Sequence, residues 1–322
     1  MKRVFVTGAS GCIGRHVLPR LVAQGWEVCA VSSRPVPDEP GVTWRQADLV
    51  GSNAAAEAIA DFRPTHLLHL AWYIAPGRWA FSAENFAWVE ASMRLLRAFA
   101  ASGGRRVVTA GSCLEYDWTF GYCAEDRTPC RPHTTYGVCK HALQLLTSEF
   151  AARHELSSAW GRIFFLYGPH EHPDRLVSSI IRSLLARQPA RCSHGTQVRD
   201  YLYVQDVADA FVALLDSDTT GPVNIASGRA ITLRDIALRI AELMNGRDLL
   251  QLGAIPAAAT DMPLVVADMS QALTRIPGWE PRVSLDQGLA ESIRWWRERA
   301  AADAGTDTSG RLPSALEGRR AR

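Results

Sequence analysis

Short apolar stretches alternate with longer stretches of helical periodicity through the first half of the chain. The apolar stretches predict strands at 2–7, 27–32, 66–70, 105–110 and 158–165. The intervening periodicity predicts helices at 12–24, 84–102 and 135–153. Glycines at Gly25 and Gly103 mark the ends of the first two helices. This alternation predicts an α/β fold with a doubly wound parallel sheet covered by helices on both faces.

The pattern becomes looser after residue 165. Helices are predicted near 174–187, 204–216, 232–245, 270–275 and 284–299. We interpret 1–165 as a Rossmann-type nucleotide-binding domain and 166–299 mainly as a smaller substrate-binding lobe. From residue 300 the chain consists largely of Ala, Gly, Ser, Thr and Arg without apolar periodicity, so 300–322 are expected to form a disordered tail.

Composition narrows the classes of protein that this chain fits. The 322 residues are 47% hydrophobic, which gives ample material for a core, and the formal net charge is only +2. Such a balance gives no electrostatic ground for expecting nucleic acid or an anionic membrane as partner. Seven cysteines without a Cys-x-x-Cys pair indicate reduced thiols, so neither a metal site nor a disulfide framework is expected. With no leader pattern and no run of about 18 apolar residues, a cytoplasmic protein is expected.

A glycine-rich segment follows the first predicted strand. Residues 7–14 read Thr-Gly-Ala-Ser-Gly-Cys-Ile-Gly and come directly after the apolar run 4–6. A turn of this kind between a strand and a helix places the pyrophosphate of a dinucleotide against N–H groups at the helix N-terminus. The candidate cofactor contacts in this turn are Gly8, Ser10, Gly11, Cys12, Ile13 and Gly14.

Tyr136 and Lys140 lie one turn apart on the predicted helix 135–153. A lysine at this distance stabilises the phenolate, which allows the phenol to exchange a proton near neutral pH. A Tyr-x-x-x-Lys sequence alone is more often a solvated pair on a helix. Here it follows both a glycine turn and Ser112, which comes just after the predicted strand 105–110. The combination indicates hydride chemistry at a carbonyl or carbinol.

Ser112, Tyr136 and Lys140, in this order, resemble the catalytic triad of the short-chain dehydrogenase/reductase superfamily. Residues 162–169 and 195–206 are similar to motifs of its extended branch, which acts on nucleoside-diphosphate sugars, and the similarity spans about residues 1–295. The resemblance implies that Tyr136 transfers the proton, Ser112 hydrogen-bonds the reacting oxygen and Lys140 binds the nicotinamide ribose. It also implies that Arg199 contacts the diphosphate of the substrate.

Two departures from the pattern of that group affect the substrate. Phe165 stands where the group has an asparagine near the substrate phosphate. Cys113 and Leu114 stand where the 4,6-dehydratases have the Asp and Glu that eliminate water, so dehydration is not expected. The candidate substrate-binding residues are Glu115, Tyr116, Phe165, Arg175 and Arg199.

The end of the second strand selects the dinucleotide. An acidic residue there would bind the ribose 2′-hydroxyl of NAD, whereas this chain has two serines followed by an arginine, which suit the 2′-phosphate of NADP. NADPH is therefore predicted, with NAD less favoured. The resemblance adds residues beside the adenine and the nicotinamide half. Together these further cofactor candidates are Ser32, Ser33, Arg34, Asp48, Leu49, Leu70, Ala71 and Trp72, besides Tyr136 and Lys140.

These features predict an oxidoreductase that reduces a nucleoside-diphosphate-linked 4-keto-6-deoxyhexose with NADPH, a step of deoxysugar biosynthesis. Two enzymatic alternatives stay open. One is an epimerase of nucleotide sugars, which usually retains NAD, and the other is a reductase of a non-nucleotide ketone, similar to the dihydroflavonol reductases. A redox-sensing module without catalysis is disfavoured, because Ser112, Tyr136 and Lys140 are all retained.

The resemblance also implies a homodimer. Members of the extended branch commonly dimerise through two helices from each subunit, which correspond to 84–102 and 135–153 here. The apolar positions of helix 84–102 form a stripe wide enough to cover the sheet and to meet a partner. Periodicity alone leaves open that all of them fill the core of the monomer.

Overall fold

The computed structural model describes residues 2–75, 77–257 and 261–307, without the side chains of 304–307. Its strands are β1 (Arg3–Thr7), β2 (Glu27–Ser32), β3 (Val42–Gln46), β4 (His66–His69), β5 (Arg106–Ser112), β6 (Tyr122–Cys123), β7 (Ser157–Ile163), β8 (Phe165–Tyr167), β9 (Ala190–Arg191), β10 (Val198–Tyr203), β11 (Gly221–Ile225), β12 (Ala230–Thr232), β13 (Leu250–Gln251) and β14 (Leu264–Ala267). Its α-helices are α1 (Gly14–Ala23), α2 (Ala54–Phe62), α3 (Glu84–Ala101), α4 (Thr135–Arg153), α5 (Leu176–Leu185), α6 (Val204–Leu215), α7 (Leu233–Leu243), α8 (Ala272–Arg275) and α9 (Leu285–Asp307).

Seven of the strands form one parallel sheet in the order β11-β7-β5-β4-β1-β2-β3. Phe5 pairs with Cys29 on one side and with Leu67 on the other, and all three side chains are buried. Strands covered on both faces are continuous apolar runs, which is why the sequence predicts them well. The strand order reverses between β1 and β4, and at such a point the carboxyl ends of the strands open a crevice for a ligand. The predicted doubly wound fold is confirmed.

The sequence pattern did not predict β3 and α2. Strand β3 lies at the edge of the sheet, pairs only with β2, and alternates half-buried and exposed residues. Because an edge strand is covered less completely than a central one, its sequence lacks the continuous apolar run that marks β1 and β2.

The smaller lobe has its own sheet and its own core. Strand β10 pairs with β12, β14 and β8, and β14 continues the pairing to β6. Helices α5, α7 and α9 pack together around a buried cluster that includes Ile181, Ile240 and Leu289. The chain then returns to the large sheet, because α6 packs on α1 and β11 pairs with β7. Residues 204–225 therefore belong to the sheet domain, whereas the sequence interpretation placed 166–299 mainly in the lobe.

The last described helix extends into the segment that was expected to be a disordered tail. Helix α9 continues to Asp307, so 300–307 are helical where disorder was expected. Alanine-rich sequence favours a helix even without apolar periodicity, and pairs such as Arg299 with Asp303 at i,i+4 add to its stability. Residues 308–322 lie outside the described residues, and the prediction for them stays a prediction. Over the described ranges, no helix is long and apolar enough to cross a membrane.

Candidate active site

The glycine turn after β1 requires glycine at two positions because other backbone approaches closely. Gly8 has φ +68°, and a Cβ there would lie 2.7 Å from the nitrogen of Ala71. A Cβ on Gly14 would lie 2.3 Å from the carbonyl oxygen of Gly8. The turn leads into α1, whose N-terminus has no side-chain cap and carries the positive end of the helix dipole. These residues fit the pyrophosphate of a dinucleotide.

A buried chain of hydrogen bonds holds this turn to its neighbours. The Thr7 hydroxyl and His69 Nδ1 are 2.7 Å apart, and His69 Nε2 and the Ser92 hydroxyl are 2.8 Å apart. Ser92 donates to the carbonyl oxygen of Trp88, and the Ala71 N–H donates to the Thr7 hydroxyl. Burial lowers the pKa of His69 to about 3, so the ring is neutral and links β1, β4 and α3.

The three catalytic candidates meet at the carboxyl end of β5. Ser112 is the last residue of β5, while Tyr136 and Lys140 lie in the first turns of α4, and all three are buried. The Thr134 hydroxyl caps α4 by accepting the N–H of Gly137 at 3.0 Å. The cap fixes the start of the helix one residue before Tyr136, so Tyr136 and Lys140 are held on a well-defined first turn.

The protonation of Tyr136 differs from the sequence expectation. Burial raises the pKa of its phenol, and a hydrogen bond with Ser112 only partly opposes that rise. Lys140 donates to the carbonyl oxygen of Ala110 at 2.8 Å and lies 5.9 Å from the centre of the Tyr136 ring. Burial lowers the pKa of Lys140 to about 7. Burial therefore opposes the ionisation of the phenol that the sequence predicted.

Two tryptophans lie close to Tyr136 and Lys140. The Trp79 and Tyr136 rings are 4.9 Å apart, edge to face, and the Trp72 ring centre lies 3.9 Å from Lys140 Nζ. Asn85 joins the two tryptophans, since it accepts from Trp72 Nε1 at 2.8 Å and donates to the carbonyl oxygen of Trp79 at 2.7 Å. Sequence reasoning included Trp72 but missed Trp79 and Asn85. One indication of Trp79 was present in the sequence, which is that it lies in the loop after β4, as Trp72 does.

The predicted selectivity residues lie at the carboxyl end of β2. The hydroxyls of Ser10 and Ser32 are 3.1 Å apart, and the Arg34 N–H donates to the Ser32 hydroxyl. Ser33 and Arg34 are exposed. Asp48 lies past the neighbouring end of β3, with Leu49 half-buried beside it. The structure thus brings the glycine turn and the end of β2 together.

Glu115 supports Ser112 instead of lining the sugar pocket. It is fully buried, and its carboxylate accepts from the N–H of Ser112 at 2.8 Å, from Trp160 Nε1 at 2.9 Å and from Arg162 Nε at 2.8 Å. These donors occupy both carboxylate oxygens. The predicted substrate role is therefore corrected, because the short 3₁₀ turn after β5 directs this side chain into the protein.

The predicted substrate role of Tyr116 is also corrected, because its side chain is buried. Its ring is only 1% exposed, and its hydroxyl donates to the side-chain oxygen of Asn224 at 2.7 Å. Cys113 is also buried, at 1% exposure, and burial raises the pKa of its thiol. Neither side chain is open to a substrate.

Phe165 and Arg199 lie together in the lobe. The Arg199 guanidinium is 5.4 Å from the centre of the Phe165 ring and 5.8 Å from that of Trp118. Arg199 is 2% exposed and forms an ion pair with Asp261, a partner that sequence reasoning missed. Arg175, by contrast, is exposed, with its guanidinium 5.6 Å from the centre of the Trp79 ring.

The sequence of this chain matches the model of a known protein family. The model of the NAD dependent epimerase/dehydratase family matches residues 4–226. The chain belongs to the NAD dependent epimerase/dehydratase family. The predicted resemblance to extended short-chain dehydrogenases of nucleotide sugars is thereby confirmed.

Individual members of the epimerase/dehydratase family match over nearly the whole chain. The UDP-glucose 4-epimerase of Mycolicibacterium smegmatis is 25% identical over 315 residues, covering 92% of this chain and 99% of that protein. UDP-glucuronic acid decarboxylase 1 of Arabidopsis thaliana is 25% identical, covering 92% of this chain and 70% of that protein. The structure of MoeE5 with UDP-glucuronic acid and NAD is 33% identical, with a TM-score of 0.80, and covers 92% of this chain and 99% of that one.

Proposed function

We propose that this protein is a nucleoside-diphosphate-sugar 4-epimerase. The observation that carries the proposal is that Tyr136 is the proton-exchanging side chain that hydrogen-bonds Ser112. Glu115 is held by three donors and Cys113 is buried, so no second acid and base follow Ser112 in the described cleft. Inversion at C4 needs one group that removes and returns a proton at one oxygen, whereas water elimination needs more.

The full-length relatives support this choice. The UDP-glucose 4-epimerase of M. smegmatis and the UDP-glucuronate 4-epimerase of Thermodesulfobacterium geofontis match 92% and 91% of this chain, at 25% and 24% identity. MoeE5 is described in complex with UDP-glucose and with UDP-glucuronic acid, each together with NAD. A UDP-linked hexose or its uronic acid is accordingly the proposed substrate.

Each residue of the cleft has its own role in the proposed reaction. When bound, a nicotinamide dinucleotide supplies the hydride acceptor and donor. Tyr136 acts first as the phenolate, which removes the proton from O4 of the sugar as the C4 carbonyl forms, and the resulting phenol returns that proton to O4 when the carbonyl is reduced. Ser112 donates a hydrogen bond to the same oxygen, and the N–H bond to Glu115 fixes Ser112 in place. Trp72 and Trp79 shield the phenol and the lysine from water.

One observation favours a second candidate, the reduction of a 4-keto-6-deoxyhexose nucleotide with NADPH. Ser33 and Arg34 are exposed at the end of β2, with the Ser32 hydroxyl beneath them. Hydroxyl and guanidinium donors in this position suit a 2′-phosphate. A reductase consumes one NADPH for each sugar, whereas an epimerase has no net consumption.

Product analysis separates the two candidates. We expect purified protein with UDP-glucose or UDP-glucuronate and a catalytic amount of NAD to form the C4 epimer, without accumulation of reduced nicotinamide. Oxidation of NADPH in proportion to a 4-keto-6-deoxyhexose nucleotide, with no epimer from either UDP-sugar, would instead establish the reductase and overturn the epimerase.

Replacing Arg34 with Asp is expected to lower the NADPH/NADH affinity ratio by about 10- to 100-fold. The new carboxylate repels a 2′-phosphate and accepts a hydrogen bond from a 2′-hydroxyl. Fluorescence titration with each dinucleotide measures the ratio. Arg45→Asp is the matched control, because Arg45 is an exposed arginine on the neighbouring strand β3. If both variants keep the wild-type ratio, Arg34 does not contact the cofactor.

We further propose a homodimer formed through α3 and α4. These helices pack against each other and leave large apolar side chains exposed, namely Phe86 at 57%, Val138 at 48%, Leu145 at 55% and Leu146 at 45%. Several such residues on adjacent helices are typical of an interaction surface.

Light scattering at micromolar concentration is expected to give a dimer mass for the wild type and a monomer mass for Leu145→Asp. A buried carboxylate at an apolar interface costs enough free energy to separate the subunits. Leu243→Asp, at an exposed leucine of α7, should stay dimeric. A wild-type monomer would refute the proposed interface.

A further inference from the structure

The Arg175 guanidinium lies at the catalytic cleft without a carboxylate partner. Arg175 is exposed and directly precedes α5, and its guanidinium stacks on Trp79 at 5.6 Å. Among the residues that the structure describes, none forms an ion pair with it. A guanidinium in this state retains all of its N–H donors for a ligand.

Its position ties it to the reacting end of the substrate. The indole of Trp79 packs against the Arg175 guanidinium and also contacts the Tyr136 ring edge to face, with the ring centres 4.9 Å apart. Burial raises the pKa of Tyr136, and the positive charge of Arg175 opposes that rise. The same charge acts on Tyr201 of β10 and on Cys12 of the glycine turn. Arg175 therefore lies where the nucleotide fold, the catalytic helix and the lobe meet.

The carboxyl of Glu171 interacts electrostatically with Arg175 but does not neutralise the guanidinium by direct pairing. Glu171 is 8% exposed, and its carboxyl accepts from the Ser178 hydroxyl at 2.8 Å. Burial raises the pKa of Glu171 to about 7, against the opposing effect of Ser178 and Arg175. Near neutral pH a fraction of this carboxyl is therefore protonated, which leaves the charge of Arg175 available to a ligand.

The geometry of a pyranose decides which anion reaches this charge. If O4 of the sugar lies at Tyr136, the carbon that bears C6 is its neighbour in the ring, whereas C1 with the diphosphate lies across the ring. The buried Arg199 occupies a separate position against Phe165 and Trp118. A cation beside Tyr136 is therefore near the substituents of C3 and C5, and of these only C6, on C5, can carry a carboxylate.

We propose that Arg175 binds a carboxylate at C6, so that the protein prefers nucleoside-diphosphate-linked uronic acids over neutral hexoses. This inference rests on the proposed C4 epimerisation, which places O4 at Tyr136. A planar guanidinium binds a carboxylate through two parallel, charge-assisted hydrogen bonds, and a hydroxymethyl group offers no such pair.

The test compares UDP-glucuronate with UDP-glucose for the wild type, Arg175→Met, Arg175→Lys and Arg182→Met. Both kcat/KM and the dissociation constant are measured for each sugar with cofactor present. Arg182 is the matched control, since it is an exposed arginine of α5 that stacks on Trp296 at 5.5 Å, outside the described site. We expect a wild-type preference for UDP-glucuronate that falls about 10- to 100-fold in Arg175→Met. Arg175→Lys should lose part of it and Arg182→Met none.

The outcomes separate this inference from the proposed function. Equal losses for both sugars in Arg175→Met, or an unchanged preference, would overturn the carboxylate role. If the wild type forms no C4 epimer, the proposed function fails, and the ratio of dissociation constants still decides the role of Arg175. Circular dichroism checks folding. If Arg175→Met is unfolded, an unchanged preference in Arg175→Lys would reject the inference and a reduced one would support it.

Discussion

Replacing Tyr136 with phenylalanine is expected to lower turnover by about 10²- to 10⁴-fold, because proton exchange at the reacting oxygen is lost. The ring itself stays, so its contacts with Trp72 and Trp79 and the packing around Lys140 are preserved. Cofactor affinity should change little, since the glycine turn is untouched.

Steady-state kinetics and a fluorescence titration of the cofactor measure the two effects. Tyr122→Phe is the matched control, because this tyrosine is 54% exposed on β6 and loses the same hydroxyl. Turnover close to that of the wild type in Tyr136→Phe would exclude Tyr136 as the proton-transfer group.

Replacing Arg162 with methionine is expected to reduce the free energy of unfolding by about 3–5 kcal/mol. Arg162 and Glu115 form a buried ion pair, with side chains 3% and 0% exposed, and the substitution leaves the carboxylate without its charged partner. Turnover should fall as well, because the same carboxylate accepts the N–H of Ser112.

Urea denaturation of the wild type and the variant gives this difference. The control is Arg153→Met, which removes an arginine from the exposed i,i+4 pair with Glu149 and should cost about 0.5 kcal/mol or less. Adding Glu115→Gln to Arg162→Met should restore part of the loss, because the uncompensated charge is removed. A loss of less than about 1 kcal/mol in Arg162→Met would show that the carboxylate is protonated or solvated.

The parts of the fold predicted from the sequence are those with a local cause. Strands β1 and β5 are continuous apolar runs because both faces of the central sheet are buried. Helix α4 was predicted with the bounds that the structure shows, and its cap at Thr134 lies two residues before Tyr136. The meeting of Ser112, Tyr136 and the glycine turn at one edge follows from parallel strands, whose carboxyl ends lie together.

The missed features depend on residues that are far apart in the chain. Glu115 looked free to line the pocket because its partner Arg162 lies on another strand, β7. The pairing of Arg199 with Asp261 likewise joins separate segments of the lobe. The return of the chain to the sheet at β11 depends on pairing with the distant strand β7, and the local sequence does not indicate it. Burial also raises the pKa of the Tyr136 phenol, where the sequence predicted a phenol that ionises easily, and the hydrogen bond with Ser112 opposes the rise only in part.

The central claim is that hydride and proton leave C4 and O4 of a nucleotide sugar and return to the same two atoms. UDP-glucuronate carrying deuterium at C4, incubated with the protein and catalytic NAD in ordinary water, tests this directly by nuclear magnetic resonance of the product. The expected product is a C4 epimer that retains the deuterium at C4. An epimer in which solvent hydrogen has replaced the deuterium, or recovery of the unchanged sugar alone, would contradict it.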